Sequence, residues 1–152
     1  MDRGLTQGVA MKRAAVILLA SLIATSCGQT AGRRGLPTEV ESAINTVTEN
    51  IAAERYEEIY RQAADLWRND STLEGSTSTF RTLRDKLGRA ETRNLHTAIE
   101  QENASGPLTG RVYIVTYQTR FEKEQGMETF TMVEREGEWR LARYFVSSTG
   151  LK

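Results

Sequence analysis

The period of the hydrophobic pattern changes once along this chain, near residue 90, and that change limits the fold more than any other feature. Val40, Ile44, Val47 and Ile51 follow one another at spacings that keep them on one face of an α-helix. The stripe continues through Tyr56, Ile59, Tyr60, Ala63, Leu66 and Trp67, with no Gly or Pro between Glu39 and Asp70. The spacing predicts one long helix, or two joined near Ala53. Pro37 followed by Thr38-Glu39-Val40-Glu41 reads as a helix start with a capping box. Ser71-Thr72-Leu73-Glu74 is a second such box, stopped by Gly75. Ser76 to Leu87 then reads as a helix with Phe80, Leu83 and Leu87 on one face and Gly88 as its stop.

Beyond that point the period is two. Arg93 to Ile99 carries Leu95, Thr97 and Ile99 in alternation. Tyr113, Val115, Tyr117 and Phe121 fall on one face of the next strand, with Val112, Ile114 and Thr116 on the other. Gln125-Gly126 is expected to turn the chain into a strand at Glu128 to Glu134. Glu136-Gly137 turns it again into Trp139 to Val146. Short links between consecutive strands favour an antiparallel meander. Helices first and strands after predict an α+β domain, with N-terminal helices packed on an antiparallel sheet of about four strands.

The N-terminal stretch is of another kind. Lys12 and Arg13 precede Ala14 to Ala24, eleven uncharged and mostly apolar residues. A spanning helix needs about 20 such residues and the hydrophobic region of a signal peptide roughly 7–15, so the export reading fits, with Met11 as an alternative start. Leu22-Ile23-Ala24-Thr25-Ser26-Cys27 resembles a bacterial lipobox, which implies a lipidated Cys27 at the mature N-terminus. Ala24-Thr25-Ser26 also satisfies the small-x-small rule of ordinary signal peptidase, and a structural role for Cys27 is the third reading. Gly28, where an Asp would resemble an inner-membrane retention signal, favours the periplasmic face of the outer membrane in a two-membrane host. The expected organisation is a signal peptide over 1–26, a polar Gly-rich tether over 27–35 and a single domain over 36–152.

Lys plus Arg equal Asp plus Glu at 20 each, which excludes a strongly basic nucleic-acid binder. One Cys and one His leave no internal disulfide and no Cys- or His-rich metal centre, and no cofactor is expected. There is no Gly-rich phosphate loop and no nucleophile elbow. His96 is the one imidazole available as a general base, but alternation turns it away from the face of Leu95. Arg93, Glu128 and Arg140 read either as an anion clamp with a carboxylate acid/base or as a cross-strand ion pair that fixes register. Tyr113, Tyr117, Trp139 and Tyr144, with Phe121, either line an apolar binding pocket or are plain core. Glu57–Arg61 reads as an i,i+4 pair on a solvated helix face. The central strand is apolar on both faces over Val112 to Val115, so its second face needs a helix, a neighbouring strand's end or another subunit to cover it.

An ordered set of motifs carries a family resemblance: Leu87-Gly88 then Arg93, Gly106-Pro107 and Gly110, Thr119-Arg120-Phe121 with Lys123, Glu128-Thr129, and Gly137-Glu138-Trp139-Arg140-Leu141-Ala142 with Tyr144. Over residues 40–147 the chain resembles the domain of unknown function 4019 family of exported bacterial domains. Arg143 departs from the family's usual Gly before its Tyr, which bears on a local bulge. The resemblance implies a strongly curved, cone-shaped sheet of the nuclear-transport-factor-two and cystatin-like kind wrapped around a helix. Relatives of that fold include enzymes as well as binding and dimerising domains, so the fold does not decide the function. The expectation is a lipid-anchored envelope protein with a non-catalytic, ligand- or partner-binding domain, held at the membrane through Cys27. One alternative is a small isomerase- or dehydratase-like enzyme using the cone, with Glu128 or His96 as base. The other is a structural subunit of an envelope assembly, as a homodimer or with an envelope protein partner.

Overall fold

A computed structural model describes residues 35–152 of the chain. Cys27, the expected signal peptide and the expected tether up to residue 34 lie outside the described residues. Four helices come first: α1 (Thr38–Ala52), α2 (Tyr56–Gln62), α3 (Asp65–Asp70) and α4 (Leu73–Leu87). Four strands follow: β1 (Ala90–Asn103), β2 (Gly110–Phe121), β3 (Gln125–Arg135) and β4 (Glu138–Ser148), with a 3-10 turn at Thr149–Leu151. The strands form one antiparallel sheet in chain order, curled but not closed, and the domain is α+β. No helix among the described residues is long and apolar enough to cross a membrane.

The helical stripe breaks twice. The first break, near Ala53, puts Glu54 at φ 58, and Asn50 Oδ1 accepts from Arg55 Nε at 2.8 Å across it. The second lies at Ala63 and Ala64, both extended, and no Gly or Pro announces it. Its cause is tertiary. The Ala64 N–H leaves the helical ladder to donate to the Leu141 carbonyl of β4 at 2.9 Å, and both alanines are buried. Helix starts also differ from expectation. α1 begins at Thr38 without a side-chain cap, since its N-cap residue is Pro37, whose ring offers no acceptor; the Pro37 carbonyl takes the first helical bond, from the Glu41 N–H at 3.0 Å. α4 begins three residues earlier than Ser76, capped by Thr72, whose Oγ1 accepts from the Gly75 N–H at 3.1 Å. Arg61 pairs with Glu58 rather than Glu57. Gly88 ends α4 at φ 81 and ψ −165, a conformation open to glycine almost alone.

Tyr113, Val115, Tyr117, Thr119 and Phe121 of β2 face the helices. Val112 and Val133, on the opposite face, pack with Ala64 and Ala142, edged by Leu66, Leu108 and Ile114. The chain thus covers that end of the second face with its own segments.

Three sheet details correct the expected pattern. The pairing slips between Leu95 and Thr97, so His96 is a bulged residue, and Leu95 shares a face with Tyr117 while Thr97 and Ile99 share the other with Thr116 and Ile114. Gln125-Gly126 is strand, not turn. A Cβ on Gly126 would sit 2.7 Å from the Ser147 carbonyl, so the glycine serves a close strand approach. A second slip lies at Ala142, and Arg143 beside it points outward and is exposed.

Candidate functional site

Glu128 sits in the middle strand pair, opposite Tyr117 on β2 and Val146 on β4, on the face that the helices cover. Its side chain is fully buried. Four donors reach its carboxylate. Arg93 gives two bonds, Nε to Oε2 at 2.6 Å and Nη2 to Oε1 at 3.2 Å. Thr119 Oγ1 donates to Oε2 and Tyr144 OH to Oε1, each at 2.6 Å. Arg93 comes from β1 and crosses β2 to arrive there, passing the row in which it pairs with Thr119 and Thr119 with Gly126. A buried charge is tolerable only when it is paired and hydrogen-bonded, and here a bidentate guanidinium does both. A carboxylate offers about four lone-pair sites, so this one is saturated. The Tyr144 phenol is held neutral, its pKa raised well above the usual value by burial first and by the Glu128 charge second.

Rings fill the space around this network. Tyr56, Phe80 and Trp67 stack, with centroids 5.4 and 5.9 Å apart, and Phe80 stacks on Tyr144 at 5.5 Å. Tyr144 meets Phe130 at 5.0 Å, and Phe130 meets Tyr117 edge-on at 5.9 Å. The chain of rings ties α2, α3 and α4 to the sheet. What remains open beside Glu128 is a cavity of about 40 Å³ under Phe80, Leu83 and Leu87. Ligand pockets are roughly 300–1,000 Å³, so this space admits water and little more.

A larger groove lies elsewhere, between α1, α2 and the start of β4. It has a volume of about 520 Å³, a floor that includes Val47, Ile59 and Met132, and Trp139, Arg140 and Gln62 among its other walls. Trp139 meets Tyr113 edge-on at 5.3 Å and carries the Arg111 guanidinium 5.4 Å over its ring. Arg111 in turn bridges Glu100 and Glu134, each at 3.1 Å.

The candidate residues therefore divide. Arg93, Glu128 and Tyr144 converge, and Tyr117 packs beside them. Tyr113 and Trp139 belong to the groove end of the sheet. Arg140 does not join Glu128; it pairs with Glu138 at 3.1 Å and Glu136 at 3.9 Å. His96 is exposed on its bulge. Thr119 is the network member that motif reading missed as a site residue. The signal was available: it is the one aliphatic hydroxyl on a β2 face otherwise made of Tyr113, Val115, Tyr117 and Phe121. No group of three or more His, Cys, Asp or Glu poised to hold a metal occurs among the described residues.

The family model for proteins of unknown function designated DUF4019 matches residues 43–144, and the chain belongs to this family. No curated protein matches it.

Proposed function

We propose that the chain is an exported, lipid-anchored envelope domain that binds a ligand or partner without transforming it. The observation that carries the non-catalytic part is the state of Glu128. A general base needs a free lone pair within reach of a substrate proton. Glu128 has all its sites filled by Arg93, Thr119 and Tyr144, and about 40 Å³ beside it. The network reads as a polar lock for the curled sheet. Binding is assigned to the groove walled by Trp139, whose volume of about 520 Å³ and mixture of aromatic, apolar and guanidinium groups suit an amphiphilic occupant. The anchor rests on the run from Lys12 to Cys27.

Cys27→Ala tests the anchor. The variant should leave the detergent-extracted membrane fraction that holds the natural chain, or accumulate uncleaved. Processing and detergent-only extraction identical to the natural chain would overturn it. Trp139→Ala, with thermal stability measured in parallel, tests the groove by loss of partners captured by cross-linking in cells.

A further inference from the structure

The outer face of the sheet, turned away from the helices, is open beyond the end that Ala64 covers. Its open rows run from Ile99 to Arg143, from Thr97 to Phe145 and from Asn94 to Ser147 across the strands. None of these rows holds a carboxylate, in a chain with 20 acidic residues. Acids return near the ends of the face, where Glu91 pairs with Arg120 and Glu138 with Arg140. In the middle, the Thr116 and Thr129 hydroxyls bond to each other at 3.1 Å. Phe145 is 64 % exposed, more than any other large apolar residue described. Arg143, two residues before it on the same face of β4, is exposed and has no ion-pair or hydrogen-bond partner among the described residues.

We propose that this face docks on an anionic bilayer surface, with Phe145 entering the interface and Arg143 beside it on lipid phosphate. An exposed apolar patch marks a protein or a membrane contact. Charge and reach choose the membrane. A face with an unpaired guanidinium and no carboxylate in its open rows is attracted by anionic lipid and meets no repulsion from it. The hydroxyls around Phe145 suit the polar headgroup zone, into which an aromatic ring dips while a guanidinium stays at its level. Docking rests on the anchor proposed above, which puts the membrane close. Cys27 is 35 − 27 = 8 residues before the first described residue, and eight extended residues span at most about 26–29 Å. A helix layer and a sheet are about 10 Å thick each, so this reach lets the outer face turn to the bilayer.

The test places the full chain in phosphatidylcholine nanodiscs, with and without phosphatidylglycerol, carrying a trace of lipid spin-labelled at the headgroup. Backbone NMR then reads paramagnetic broadening residue by residue. With phosphatidylglycerol present, the amides of Thr129, Phe145 and Ser147 should broaden more than those of Arg81 and Thr82 on the exposed face of α4, and added salt should reduce the difference. Arg143→Gln should weaken the broadening about fivefold, the weight of one basic residue at an anionic surface. Phe145→Ser should bring it down to the level of α4. Both side chains are exposed, so the circular dichroism spectrum should not change. Broadening equal on α4 and the sheet would overturn docking and leave the anchor standing. So would outer-face broadening indifferent to phosphatidylglycerol and to Arg143→Gln. A chain that stays out of pure phosphatidylcholine discs yet shows the pattern with phosphatidylglycerol would remove the anchor and support docking on its own.

Discussion

Arg93→Met removes the cation that pairs with a carboxylate closed off from bulk solvent. Glu128 is 0 % exposed and Arg93 22 %, and Arg93 supplies two of the four bonds on Glu128. Removing one partner of a buried ion pair costs about 3–5 kcal/mol, because the remaining charge stays buried. The outer side of Arg93 touches solvent, which puts the expected loss near the lower bound, about 3 kcal/mol. Against a total of about 5–15 kcal/mol this is a large fraction. With a urea slope of about 1–3 kcal/mol per molar, the midpoint should fall by roughly 1–3 M. The companion is Arg93→Met with Glu128→Met, which replaces both charges by apolar groups of similar length. Such a pair is often neutral or better, but here the Thr119 and Tyr144 hydroxyls lose their acceptor, so the double variant should recover only about 1 kcal/mol over the single one. Chemical unfolding followed by circular dichroism at neutral pH reads all three. A single-variant loss below about 1 kcal/mol, the level of an exposed pair, would refute the reasoning. It would mean that Glu128 is hydrated and available.

Three further outcomes are expected. Gly88→Ala should cost about 1–3 kcal/mol in thermal or urea unfolding, because the backbone is at φ 81 and the new Cβ would lie 2.7 Å from Glu122 Cβ. Burial raises the phenol pKa of Tyr144, Tyr117 and Tyr56, so the folded form holds protons that the unfolded form releases above about pH 10. Their contribution is complete below that pH and is lost as pH rises; ultraviolet titration should show these three ionising late or on unfolding, and stability should fall above pH 10. His96→Ala should change stability by less than about 0.5 kcal/mol, since the side chain is exposed on a bulge.

The order of elements was legible because hydrophobic period reports secondary structure directly, and both faces of β2 came out as read. Single residues that obey tertiary demands were not. Ala63 and Ala64 are good helix formers, yet the Leu141 carbonyl draws the Ala64 N–H out of the helix. Gly126 looks like a turn residue, but it is needed where β3 and β4 come close. One bulge at His96 turned Leu95 and Ile99 to opposite faces, which no period-two reading can foresee. At the site, Arg93 and Glu128 were legible as a pair. The register that carries Arg93 across β2 to a fully buried carboxylate, and the recruitment of Thr119 and Tyr144, depend on three strands at once. Motif order kept Arg140 with them, whereas the sheet places it at the groove.

The most direct test of the central claim is a backbone and indole NMR titration of the full chain in detergent with a panel of small aromatic and acyl fragments. Shifts are expected at the Trp139 indole and at residues such as Val47 and Gln62 around it, with Arg93, Thr119 and Tyr144 unmoved. Shifts clustered at Arg93, Glu128 and Tyr144 instead would show that the cone opens to ligands, and would contradict a closed structural lock.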